Sequence, residues 1–163
     1  MGNKMSINIF DYLINLEQER NRVIILHTPP DKGPELTQFC KKICTKLDAK
    51  YLDLLEFFIQ SEELREKIDT FSPEKMKGLL IEQSIKQSLV VVDRVDFLLD
   101  TWRSSERQDF YRMVREQWDG FKEGMRSKLI ICLQTSHEIL SLNIKDSQDQ
   151  TRIFQLSDFH EIL

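Results

Sequence analysis

Short runs that are apolar at every position limit this chain more than any other feature. They are Val23-Ile24-Ile25-Leu26, Leu89-Val90-Val91-Val92 and Leu129-Ile130-Ile131-Cys132-Leu133. Each is too short for an ordinary helix and has no polar side to turn to water. Such a run reads as a strand buried on both faces, the mark of a parallel sheet covered by helices. Tyr51-Leu52-Asp53-Leu54 and Ile153-Phe154-Gln155-Leu156 are two weaker strand candidates.

Between these runs the hydrophobic period changes to that of a helix. Residues Ser6 to Arg20 place Phe10, Leu13 and Ile14 on one face. Leu36, Phe39, Cys40, Ile43, Cys44 and Leu47 make a second stripe, opened by Pro34 where a first helical residue belongs. Glu56 to Ile68 reads as one charged helix. Ser72-Pro73 is a cap followed by proline, and Met76, Leu79, Leu80 and Gln83 supply that helix's face. Phe110, Val114, Trp118 and Phe121 form the next stripe, with Arg112 and Arg115 opposite. Five strands separated by helices predict an α/β domain with a parallel sheet. A single domain is expected over residues 1–163, with an N-terminal helix in 1–20 and the α/β core in 21–163.

Composition narrows the function classes. A chain of 163 residues with 40% hydrophobic content can bury a sizeable core without disulfides or a structural metal. The net charge of −4 provides no global basic field for wrapping duplex DNA. No apolar stretch approaches the roughly 20 residues of a membrane span, and no secretory core opens the chain, so a cytoplasmic protein without membrane contact is expected. The three cysteines, Cys40, Cys44 and Cys132, form no CxxC pair and read as reduced thiols in a core. His27, His137 and His160 show no ligand spacing, which argues against a metal centre. Met1-Gly2-Asn3-Lys4-Met5-Ser6 fits an acylation pattern but lacks the polybasic partner that stable anchoring needs. His137-Glu138-Ile139-Leu140 recurs as His160-Glu161-Ile162-Leu163, an echo too short to mark a repeat.

Ligands of parallel α/β sheets bind beyond the carboxyl ends of the strands. After the first strand comes His27-Thr28-Pro29-Pro30-Asp31-Lys32-Gly33, which leads straight into a helix, as a phosphate-binding loop does. Against G-x-x-x-x-G-K-[ST], aligned on Gly33, Thr28 replaces the first glycine, Pro34 the lysine and Glu35 the hydroxyl residue. Three prolines remove N–H donors, and Glu35 puts a carboxylate where the helix dipole should meet phosphate. Lys32 stands one residue early and could reach a phosphate from another side. A plain proline-rich turn is the competing reading of the segment.

Leu89-Val90-Val91-Val92-Asp93 is a hydrophobic strand ending in an acid, the arrangement that holds magnesium in nucleotide hydrolases. The next position, where a catalytic glutamate would stand, is Arg94. Gln134 follows the fourth strand at a place suited to a γ-phosphate or its water. Arg152 precedes the fifth strand, where an arginine finger for a neighbouring subunit could lie. The candidate nucleotide-binding residues are therefore Thr28, Lys32, Gly33, Asp93 and Gln134, with Asp93 as the magnesium residue through water and Arg152 as the finger. The lysine, hydroxyl and base roles are vacant in the aligned positions.

With these elements the chain resembles the additional-strand P-loop NTPases of the AAA+ type over nearly its whole length. Within them it is similar to the BrxF family, small P-loop proteins of type 3 bacteriophage-exclusion (BREX) systems. Its length, Tyr51-Leu52-Asp53-Leu54 with the helix after it, and Val91-Val92-Asp93-Arg94-Val95-Asp96-Phe97-Leu98-Leu99-Asp100 carry the likeness. The resemblance implies a five-stranded parallel sheet in the order 5-1-4-3-2 and work inside an antiviral complex; because the sequence stops soon after the fifth strand, the C-terminal helical lid of that class is expected to be missing.

Three functions are expected in descending order. The first is a degenerate P-loop subunit that binds nucleotide weakly or not at all and acts through other defence-system proteins. It requires no cofactor, and little ATPase activity is expected of the isolated chain. The second is a working ATPase with ATP and magnesium whose loop tolerates the odd chemistry, using Lys32 and Asp93 and completing its site with Arg152 from a neighbour in a homo-oligomer. The third is a nucleic-acid adaptor using Arg103, Arg107, Arg112, Arg115 and Arg126, although Glu106, Asp109, Glu116, Asp119 and Glu123 are interleaved and favour a solvated helix face.

Overall fold

The computed structural model describes residues 7–159. The acylation pattern at Met1–Ser6 and the echo at His160–Leu163 lie outside them. Five strands form one sheet: β1 (Val23–Thr28), β2 (Lys50–Asp53), β3 (Leu89–Asp93), β4 (Lys128–Gln134) and β5 (Ile153–Gln155). All pair in parallel, in the order β2-β3-β4-β1-β5. Read from the other edge, this is the expected 5-1-4-3-2. The apolar runs occupy the interior strands: every residue of β1 and β3 is buried.

Eight α-helices join the strands among the described residues. They are α1 (Ile9–Leu16), α2 (Gly33–Leu47), α3 (Leu54–Gln60), α4 (Glu62–Glu66), α5 (Pro73–Ser84), α6 (Asp96–Thr101), α7 (Ser104–Arg112) and α8 (His137–Ser141). The alternation of side chains along each strand divides the core into two layers. Ile24, Leu26, Val91, Ile130 and Cys132 face α1 and α2, meeting Leu13, Leu36, Cys40 and Ile43. Val23, Ile25, Val90, Val92, Leu129 and Ile131 face the other side, meeting Phe58, Leu80, Phe110 and Trp118.

Several expected elements differ in detail, each for a local reason. In α1 the inward residues are Ile9, Tyr12, Leu13 and Leu16, while Ile14 is 64% exposed. Asn8 caps that helix by accepting from the amides of Phe10 and Asp11, which sets its start later than Ser6. The expected single helix over Glu56 to Ile68 is cut at Ser61, whose side chain caps a new helix by accepting from Leu64 N–H. Phe121 leaves the predicted stripe. The chain passes from α7 into a π-helical turn at Met113–Gln117, and the exposed Phe121 ring lies beneath the guanidiniums of Arg20 and Arg22. Leu156 falls just past β5, in a 3-10 turn.

Among the described residues no helix is long and apolar enough to cross a membrane.

Candidate functional site

The carboxyl ends of β1, β3 and β4 enclose a cavity of about 550 Å3. Leu36, Leu55, Phe97 and Leu133 supply apolar wall, and Thr28, Thr37, Asp93 and Gln134 supply polar groups. Thr28 and Gln134 end their strands side by side in register. The structure therefore brings together Thr28, Gly33, Asp93 and Gln134 from the sequence-derived set.

The loop after β1 is closed upon itself. Pro30–Lys32 forms a 3-10 turn in which Lys32 N–H donates to Pro29 O at 2.9 Å and Gly33 N–H donates to Pro30 O. A phosphate loop must point its amides at the anion. Here two amides are used internally, and Pro29, Pro30 and Pro34 have none to offer. Gly33 has φ −53°, with open space where a Cβ would go, so the backbone does not demand glycine there. Lys32 is exposed and does not line the cavity.

Asp93 is the most constrained group of the site. It is 3% exposed; its Oδ2 accepts from Thr37 Oγ1 and from Tyr51 OH, both at 2.7 Å, and its Oδ1 accepts from Arg94 N–H at 2.9 Å. Burial, reinforced by the Asp93 carboxylate, pushes the Tyr51 phenol far above its ordinary range, so the hydroxyl stays protonated and donates. Among the described residues no cation pairs with Asp93. Arg94 turns away to Asp53, with 2.8 Å between its Nη2 and Asp53 Oδ2. It does so from a left-handed backbone, φ 58°, which is costly for a side chain of this size.

A second carboxyl, Asp96, joins the two strand ends by accepting from Gln134 N–H at 2.9 Å. Burial raises its pKa, and the nearby Asp100 and Asp93 charges add to the shift. Asp96 and Gln134 also border a smaller cavity of about 280 Å3 with Arg107, Tyr111 and Glu138. On the other side of β1 the buried His27 has its Nδ1 2.7 Å from Thr135 Oγ1, and burial lowers its pKa. Among the described residues no group of three or more His, Cys, Asp or Glu could hold a metal ion.

Arg152 requires a correction. An arginine finger must project from its own subunit, but Arg152 is 3% exposed and points inward. Its guanidinium donates to the carbonyls of Asn21, Val23, Val114, Arg115 and Lys145 at 2.7–3.1 Å. It is an internal tie between β5, the entry to β1 and the π-helical turn. The arginines considered for nucleic acid are largely matched by acids: Arg107 with Glu138, Arg112 with Asp109 and Arg115 with Glu116.

The aligned motif also missed Thr37, Tyr51 and Asp96. Glu35 occupies the aligned hydroxyl position, yet Thr37 brings a hydroxyl to Asp93 from further along the same helix. Thr37 thus places beside Asp93 a hydroxyl that Glu35 lacks. The available signal was that Thr37 carries the only hydroxyl in the first two turns of α2.

No protein-family model, curated protein or solved structure matches this chain significantly.

Proposed function

We propose that this chain is a degenerate P-loop domain, a subunit of a bacteriophage-exclusion (BREX-type) defence complex that acts mainly through protein contacts. One observation carries the reading. A hydroxyl from the helix after the first strand meets a buried acid at the end of the third, while the loop between strand and helix keeps its amides to itself. A P-loop site pairs those two groups on magnesium, and a closed loop leaves little to hold phosphate. The reading therefore combines a nucleotide-site framework with poor nucleotide affinity.

Calorimetry with ATP and magnesium tests this, with phosphate release measured beside it. Binding weaker than micromolar is expected, with turnover no faster than the roughly 10⁻⁴–10⁻² per second of unassisted members of the wider class. Co-expression with the proteins encoded beside it should yield a stable complex. Sub-micromolar ATP binding, or turnover near one per second abolished by Asp93→Ala, overturns it in favour of a second reading. That reading is a working ATPase with a non-standard loop, favoured by the Thr37 hydroxyl at Asp93.

A further inference from the structure

Cys40 on α2 and Cys132 on β4 bring their sulfurs to 3.1 Å, and both residues are fully buried. Cys132 also forms part of the wall of the cavity beside Asp93. Cys44, one turn further along α2, is a third buried free thiol. We propose that Cys40 and Cys132 are an oxidation site: a dithiol that a small uncharged peroxide closes into a disulfide, clamping α2 to the sheet beneath Asp93.

The geometry favours this pair over the alternatives. A disulfide bond is about 2.05 Å long, so closure asks the sulfurs to approach by about 1 Å. Cys132 borders the cavity but has no exposed surface, so a small uncharged oxidant reaches it through a brief local opening of that wall, whereas a charged one would have to be desolvated. In the first step the Cys132 thiolate attacks one peroxide oxygen and the O–O bond breaks. This leaves a sulfenic acid and, after protonation, water. In the second, the Cys40 sulfur attacks the sulfenic sulfur, and the hydroxide that departs takes the Cys40 proton as a second water. Two thiols and one peroxide become one disulfide and two waters. Burial, with Cys40, Asp93 and Cys44 beside it, raises the Cys132 pKa, so thiolate is scarce at neutral pH and the oxidation is slow there.

Closure would fix neighbours of the site. Thr37 lies one turn before Cys40 on α2, and Gln134 lies two residues beyond Cys132 on β4. The bond therefore sets the spacing of two polar groups of the cavity. None of this depends on whether nucleotide binds.

The test is to treat the reduced, folded protein with hydrogen peroxide, then unfold it and alkylate the remaining thiols. One alkylated cysteine, Cys44, and a peptide joining Cys40 to Cys132 are expected. The same oxidation in urea should give mainly Cys40 joined to Cys44, because short loops close at lower entropic cost. Cys44→Ser should leave the native cross-link intact, and the oxidised protein should melt higher than the reduced one. Three alkylated cysteines after native oxidation, or a native Cys40–Cys44 link, overturn the proposal. The wild-type peptide map decides the matter even if a variant fails to fold.

Discussion

Thr37 Oγ1 donates to Asp93 Oδ2 at 2.7 Å, across 56 residues of sequence. The bond ties the helix after the first strand to the end of the third. Tyr51 OH donates to the same oxygen and Arg94 N–H to the other, so the buried Asp93 carboxyl accepts from two hydroxyls and one amide. Hydrogen bonds to charged groups contribute about 1.5–3 kcal/mol each.

Thr37→Val keeps the shape and removes one of those donors. It should lower stability by about 1.5–3 kcal/mol in urea unfolding. If calorimetry detects a magnesium-dependent component of ATP binding, the same variant should weaken it. An unchanged urea midpoint would show that the hydroxyl supports nothing.

Arg152→Ala should cost about 3 kcal/mol or more, because it strands several buried carbonyls at once. Arg152→Lys should recover only part, since an ammonium has fewer donors and no fork. A finger residue behaves differently, leaving the isolated fold intact and changing only assembled activity. Thermal melting of the two variants separates the roles.

Gly33→Ala should be neutral or stabilising by about 0.4–1 kcal/mol, since its backbone is already helical and the space is open. A loop wrapped on phosphate would punish the added methyl. Equal ATP affinity in both forms, however weak, is the expected calorimetric outcome.

His27 predicts an acid-side loss of stability. Burial holds its folded pKa below the ordinary 6.5. Above that value the residue is neutral in both states and contributes no slope. As pH falls below it, the unfolded chain takes a proton that the folded chain refuses, so stability declines until the folded imidazole also titrates. His27→Gln, which can still bond Thr135, should flatten this part of a urea-midpoint profile from about pH 7.5 to about pH 5.

The interior strands could be read because β1, β3 and β4 are buried on both faces, and burial on both sides writes itself as an unbroken apolar run. Ser72-Pro73 was equally plain, since a cap and a first-turn proline are local chemistry. What failed was set by distant partners. Leu13 and Ile14 look alike in sequence, and only the packing of α1 against Phe154 and Phe159 selects the first. A motif alignment stops at Glu35, while the fold uses the hydroxyl two residues further on, at Thr37. Arg152 looked like a surface charge because its partners are carbonyls, which no side-chain pattern records.

The π-helical turn at Met113–Gln117 gives the end of α7 one residue of slack over a regular helix. Arg152 takes hold of that slack through the carbonyls of Val114 and Arg115. Deleting one residue there would let the segment rewind as a regular helix and shift the carbonyls that Arg152 holds, leaving that buried guanidinium short of partners. Trp118 follows directly, wholly enclosed with its indole N–H donating to Ser127 O, so the strain would reach the core. The segment therefore tolerates a change of side chain at its exposed positions, Arg115, Glu116 and Gln117, far better than a change of length.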